Sequence, residues 1–250
     1  IVKQLYVKDG DIVNTNDPLM RLDDTQSKAE LQILKGQYAV LLAQEARLIA
    51  ERDDKEKIEY PEDSNVSAEI ASEAQKLETQ QFLARRASVE GEIEVLEQRA
   101  EQLREQVRGF RALIKSKKGL ISSYDEEIKD NKELLSEGFV DKQRLRDLQR
   151  LKEGLLGEVA EHQSNIAGVT VQIGETKLQV LQLKKDFRTE VVNQLSEAQQ
   201  RMFDVRERIL AVSDRVKRSL ITAPVDGVVL GLGFHTVGGV VSPGKAIMDI

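Results

Sequence analysis

Apolar residues recur along this chain in steps of three and four from about residue 25 to residue 218, and only the two ends abandon that rhythm. The longest row runs from Leu145 through Leu148, Leu151, Leu155, Val159, His162, Ile166, Val169, Ile173, Thr176, Val180, Leu183 and Phe187. It continues through Val191, Leu195, Ala198, Met202, Val205, Ile209, Val212 and Val216. Its mean spacing of about 3.5 residues is that of a helix packed along a narrow seam against another helix. A second row, from Val89 through Leu96, Leu103, Phe110, Lys117, Tyr124 and Asn131 to Leu135, keeps the same spacing. A third and shorter row holds Leu31, Leu34, Tyr38, Leu41, Glu45 and Leu48. The rows predict helices over about 25–58, 66–135 and 141–217.

The breaks between rows have their own chemistry. Glu59-Tyr60-Pro61-Glu62-Asp63-Ser64-Asn65 reads as a loop, because proline restricts Tyr60 and Asp63, Ser64 and Asn65 can each cap a helix. Ser136-Glu137-Gly138-Phe139-Val140-Asp141 reads as a tight turn, with Gly138 suited to end one helix and Asp141 to cap the next. So short a turn between two seamed helices predicts an antiparallel hairpin with its tip at 136–141. The ascending arm, 25–58 and 66–135, outruns the descending one by on the order of 40 Å. The surplus predicts a local three-helix segment near residues 59–75.

The ends read as β structure and resemble each other. Gly10-Asp11-Ile12-Val13 followed by Leu19-Met20-Arg21-Leu22 is matched, at the same spacing, by Gly238-Gly239-Val240-Val241 and Ile247-Met248-Asp249-Ile250. Upstream, Ile1-Val2, Leu5 and Val7 answer Val228-Val229, Leu232 and Phe234. Neither half has enough strands to stand alone. Two related halves, 1–24 and 219–250, are expected to pack face to face as one small β-sandwich interrupted by the helical segment 25–218. The fold class is therefore α+β. A chain that opens on Ile1 and stops on a strand-like pattern at Ile250 is expected to be an excised piece of something longer.

Composition sharpens this outline. Charged residues make up 32% of the 250 and aromatics 4%, with no tryptophan or cysteine, as in long helices rather than a thick globular core. The net charge of −6 gives no electrostatic footprint for nucleic acid. No apolar run approaches the length needed to span a bilayer. Gly91, Gly109, Gly154, Gly157, Gly168 and Gly174 fall inside predicted helices, where each costs about 1 kcal/mol against alanine. They are either tolerated surface positions or places where a neighbouring subunit approaches closely.

Half-motifs split by a long helical hairpin resemble the periplasmic adaptors, or membrane fusion proteins, and most closely the HlyD-like adaptors of type I secretion systems. The residues that carry the resemblance are Gly10-Asp11-x-Val13 with Pro18-Leu19-x-x-Leu22-Asp23. The second half supplies Ile221-x-Ala223-Pro224-x-Asp226-Gly227-Val228-Val229 with Gly238-x-Val240-Val241-x-Pro243-Gly244. The resemblance implies that the β halves form a lipoyl-like domain, a barrel-sandwich hybrid. It further implies a protein anchored in the Gram-negative inner membrane and working in the periplasm as a homo-oligomer, typically a hexameric ring. Its implied partners are an inner-membrane ABC transporter, a TolC-like outer-membrane channel and a secreted protein substrate, with no nucleic acid. The channel would be met by the hairpin tip: Leu134, Leu135, Ser136, Glu137, Gly138, Phe139, Val140 and Asp141. In efflux adaptors the turn carries an Arg, a Leu and a Ser. Leu134 matches, but Asp130 stands at the Arg position and Asp141 at the Ser position, so the tip is assigned by place and Asp141 keeps the capping role of a serine.

Chemistry other than docking finds little support. A lipoyl or biotinyl carrier presents a modifiable lysine where the halves join, but here that junction, Asp23-Asp24-Thr25, opens into the helices and the nearby Lys28 sits within the first of them. An SMC-like ATPase would need a phosphate loop, and no GxxxxGK[ST] occurs; Gly231-x-Gly233 lacks a third glycine and a following helix. The two histidines, His162 and His235, are too far apart to pair on a metal. Asp9, Asp11, Asp17, Asp23 and Asp24 lack EF-hand spacing and suit turns and caps. Lys115-Ser116-Lys117-Lys118 reads as a solvated helix face. No nucleophile-and-base set is present, so the chain is expected to be no enzyme and to need no cofactor or metal. A drug-efflux adaptor, linked to an MFS or RND transporter, and a plain coiled-coil scaffold are the alternatives.

Overall fold

In the computed structural model, which describes residues 1–63, 66–233, 236–241, 244 and 246–250, three helices lie between two groups of short strands. The order is β1 (Val2–Leu5), β2 (Ile12–Val13), β3 (Pro18–Leu22), α1 (Thr25–Arg52), α2 (Ala68–Ser136), α3 (Lys142–Arg218), β4 (Leu220–Thr222) and β5 (Gly227–Val228). The chain divides into two compact units, Ile1–Phe82 with Glu190–Ile250, and Leu83–Thr189. Ser64, Asn65, Phe234, His235 and Pro243, named above, lie outside the described residues. Among the described residues no helix is long and apolar enough to cross a membrane.

In the unit Leu83–Thr189, the rows of the sequence are the contact between α2 and α3. Ala100, Val107 and Ile128 on α2 and Leu148, Val159 and Thr176 on α3 are buried, and the row residues between them are half-buried. Leu151 is the exception. It faces solvent, and Lys152 takes its place in the row, half-covered, with its ammonium 2.6 Å from Asp125. A lysine stem covers apolar surface while its charge reaches a partner, which is how it replaces a leucine here. Thr176 spends its hydroxyl on the Gln172 carbonyl, 2.9 Å away.

In the other unit α1 is buried on two sides. Its leucine row runs antiparallel to α3, where Gln199 donates to Glu45 at 2.8 Å and Arg215 to Glu30 at 3.4 Å. A second face, Ala39, Ala43, Ala46 and Ala50, is also buried, and Ala39 and Ala43 share a cavity with Tyr60, Pro61, Ala68 and Ala71. At its edge Arg47, 2% exposed, donates to Glu78 at 2.5 Å and to Glu51 at 2.8 Å. Burial works against the Arg47 charge, but the hydrogen bonds to Glu78 and Glu51 hold its pKa above the ordinary value. Tyr60 donates its hydroxyl to the Gln75 carbonyl at 2.9 Å, and Tyr38 to Asp63 at 3.0 Å, tying the loop to both helices.

Helix α1 ends at Arg52, six residues before the expected 58. Asp54 takes a left-handed conformation (φ 52°), Asp54 N–H bonds to Glu51 C=O and Lys55 N–H to Ala50 C=O. This is the Schellman closure, normally built on glycine. An aspartate, whose short polar side chain tolerates that conformation, ends the helix where no glycine announces it.

The strands form two antiparallel sheets, β1-β3-β4 and β2-β5. The halves do not each fold on themselves, because β3 pairs with β4 and β2 with β5, so each sheet takes strands from both ends of the chain. Val7, Val13, Leu19, Ala223 and Val229 are buried in one cluster, with Ile221, Met248 and Ile250 against it. The aspartates hold the turns together. Asp11 accepts from Lys8 N–H and Asp17 from Asn14 N–H, both at 2.8 Å, and Asp9 accepts from Leu232 N–H at 2.9 Å. Asp226 accepts from both Thr15 N–H (2.6 Å) and the Thr15 hydroxyl (2.7 Å), joining the halves.

Asp24 stands at the N-terminus of α1 with its side chain buried. Lys28 Nζ lies 2.6 Å away and Lys3 Nζ 3.5 Å. The Lys28 contact, aided by Lys3, holds its carboxyl below the usual carboxylate range. A group whose pKa falls on folding stabilises the fold above its unfolded pKa, about 3.9 for aspartate, and loses that contribution as pH falls through the folded value. Asp24→Asn is therefore expected to lower the thermal unfolding midpoint at pH 7 and to flatten its fall toward pH 3. Equal midpoints for the variant and the parent at pH 7 would remove Asp24 from this role.

Candidate functional site: the hairpin tip

The tip is built from the way one helix ends and the next begins. α2 closes with a Schellman motif in which Gly138 N–H bonds to Leu135 C=O at 3.2 Å and Phe139 N–H to Leu134 C=O at 2.9 Å. Gly138 has φ 81°, a conformation that costs an L-residue about 1–2 kcal/mol. The Ser136 hydroxyl donates to Glu133 C=O at 2.6 Å. Asp141 accepts from Gln143 N–H at 3.2 Å and so caps α3.

A Schellman motif usually pairs the apolar residue just past the turn with one in the last helical turn. Those positions are Phe139 and Leu134, yet Phe139 is 76% exposed and Leu134 40%. A rigid turn thus carries an aromatic ring into solvent beside an exposed leucine. Leu135 and Val140 are half-buried, while Ser136, Glu137, Gly138 and Asp141 are exposed. The expected contact set therefore divides into an outward group led by Phe139 and an inward pair that holds the turn. Asp130 is exposed on α2.

Contacts between the arms fix this end. Arg144 donates to Glu127 at 2.9 Å, bridging the base of the turn. Lys152 pairs with Asp125, and the Lys117 ammonium with Glu158. The His162 ring stacks on Phe110 with centroids 5.7 Å apart, and the Arg85 guanidinium lies over Phe187 at 5.2 Å. The other pairs lie nearly symmetrically about Gly138. The Arg144–Glu127 bridge escaped the sequence, because its two residues stand at unequal distances from the turn, six residues after Gly138 and eleven before it. Among the described residues no group of three or more His, Cys, Asp or Glu side chains is placed to hold a metal. What the tip presents is an exposed aromatic ring on a short, capped turn.

The chain's similarities to known proteins fit this geometry. A family model described as "AprE, long alpha-helical hairpin" matches residues 27–215. The type I secretion system membrane fusion protein PrsE of Rhizobium meliloti (strain 1021) is 33% identical over 99% of this chain and 57% of its own length. The alkaline protease secretion protein AprE of Pseudomonas aeruginosa is 28% identical over 100% of this chain and 58% of its own. The chain thus spans a little over half the length of these curated relatives. Among solved structures, the soluble domain of LipC, a membrane fusion protein of a type I secretion system, superposes with a TM-score of 0.91 at 30% identity, over 100% of this chain and 94% of that one. With a hairpin model covering three quarters of its residues, this chain belongs to the HlyD-like membrane fusion protein family, in the group built on the AprE-type helical hairpin.

Proposed function

We propose that this chain is the periplasmic part of an inner-membrane-anchored adaptor in a type I secretion system. It joins an inner-membrane ABC transporter to a TolC-like outer-membrane channel for export of a protein substrate. The observation that carries this reading is the match to the LipC soluble domain along the whole chain. The names of the relatives, which include proteases secretion protein PrtE of Dickeya chrysanthemi and an Escherichia coli hemolysin secretion protein, point to a protein cargo. In this reading residues 1–24 and 219–250 form one lipoyl-like, barrel-sandwich hybrid domain, and the interleaved strands support it. Residues 25–218 form the hairpin, and protomers assemble as a ring, typically of six. The work is mechanical: the helices set a distance, the tip docks through Phe139 and Leu134, and no covalent step or cofactor takes part.

The test uses the full-length protein carrying Phe139→Cys in cells that export the cargo. The 250 residues contain no other cysteine, so within them a thiol-directed crosslinker reads this position alone. Capture of an outer-membrane channel is expected, with an ABC transporter co-purifying. Export that continues while residue 139 captures no channel would overturn the tip assignment.

A further inference from the structure

The charges at the hairpin tip run against the helices that carry them. A helix favours acids at its first turn and bases at its last, because its N-terminus carries partial positive charge and its C-terminus partial negative. Away from the tip the helices keep to this. Glu69 stands in the first turn of α2, Arg215, Lys217 and Arg218 in the last turn of α3, and Arg52 in the last turn of α1. Lys28, in the first turn of α1, is held by Asp24 at 2.6 Å. At the tip both helix ends are reversed. The last turn of α2 holds Glu133 and no base, with Glu137 just beyond it. The first turn of α3 holds Lys142 and Arg144 and no acid, with Arg146 following.

No contact within the protomer offsets the reversal. Arg144 is bonded to Glu127 and Asp141 caps α3, so each is spent on the turn. Glu133, Glu137, Lys142 and Arg146 are exposed and, among the described residues, take part in no ion pair. Glu133 and Glu137 stand four residues apart, as do Lys142 and Arg146, a spacing at which like charges repel along one helix face. The turn between them is closed by its backbone bonds, yet Phe139 forgoes its usual contact with Leu134 and stands 76% exposed. Proteins break such local rules where function requires it. Within residues 133–146 an acidic helix end, a basic helix start and an outward aromatic ring all meet.

We infer that these four charges orient the docking of Phe139. The channel surface that receives the ring places a basic group against Glu133 and Glu137 and an acidic group against Lys142 and Arg146. The inference rests on the tip docking proposed above and names the chemistry of the surface that the tip meets. An apolar ring alone fits its slot either way round. A negative edge on α2 and a positive edge on α3 admit one way only, since turning the hairpin half a revolution sets like charges together. The charged rim supplies orientation and speed of encounter, while the ring supplies affinity.

The test is capture of the channel through Phe139→Cys in cells making the full-length protein, with further substitutions beside it. Glu133→Lys with Glu137→Lys is expected to cut capture about tenfold, and Lys142→Glu with Arg146→Glu to do the same. Each pair brings a helix end into line with its dipole, so the unfolding midpoint of the purified protein should equal or exceed the parent's. Combining all four substitutions restores the parent's net charge with the order reversed, and capture should stay low. Full capture by either pair would make the charges idle and overturn the inference. Recovery in the combined variant would make net charge sufficient and overturn it as well. So would a lowered unfolding midpoint in both pairs, which would show that the charges serve the fold. In each of these cases Phe139→Cys alone still captures the channel, and the tip reading stands. No capture by Phe139→Cys itself removes the tip reading and this inference with it.

Discussion

Aspartate in place of Phe139 is expected to cut cargo export by an order of magnitude or more without weakening the fold. The ring is 76% exposed and stands beyond the last helical turn of α2, so the unfolding free energy should stay within about 0.5 kcal/mol of the parent. An aromatic anchor at the centre of a docking surface costs about 2 kcal/mol or more when lost, a factor of roughly thirty in affinity. A carboxylate adds the penalty of desolvating a charge in a contact made for an apolar ring. Phe139→Leu, which keeps apolar bulk, should retain most export. The measurement is cargo in the medium against cargo retained in cells, with thermal unfolding of the purified variant beside it. Undiminished export by Phe139→Asp would show that the tip does not dock through this ring.

The second large effect lies in the three-helix segment and concerns stability alone. Arg47 is buried between α1 and α2 and is shared by Glu51 and Glu78. Arg47→Met fills similar space but leaves two carboxylates without their guanidinium, a loss worth about 3–5 kcal/mol for a buried pair. The deficit is read by urea unfolding of the variant beside the parent at pH 7. A deficit under about 1 kcal/mol at pH 7 would mean that water, not Arg47, solvates these groups.

The same residue shows where sequence reading stops. A row of large apolar residues in steps of three and four announces the α2–α3 seam, because each row position can face only one way. Leu151 and Lys152 break the rule, since a lysine stem can hold a seam position that counting gives to leucine. The second face of α1 was present as Ala39, Ala43, Ala46 and Ala50, but alanine spacing is weak beside a leucine row, and Arg47 reads as surface charge until its two acids are found. Likeness between the β halves could be read directly. Which strand pairs with which could not, because strands of two to five residues alternate too briefly to specify a partner. The tip's position followed from Gly138 and Asp141. The outward turn of Phe139 did not, since the usual form of that motif would have folded the ring back onto Leu134.

The pairing of β3 with β4 also dictates an order of events. About two hundred residues separate these strands, and closing so large a loop in an unfolded chain costs entropy that three or four strand hydrogen bonds do not recover. Helices, whose contacts are local, form long before such a closure. Once Gly138 turns the chain and the arms zip together, the two ends are delivered to each other and the remaining search is short. The far edge of β3, already paired to β1 on its other side, therefore waits uncovered until β4 at 220–222 has emerged from the ribosome. A chain cut anywhere in α3 would strand it permanently, leaving β3 as a bare edge open to other chains.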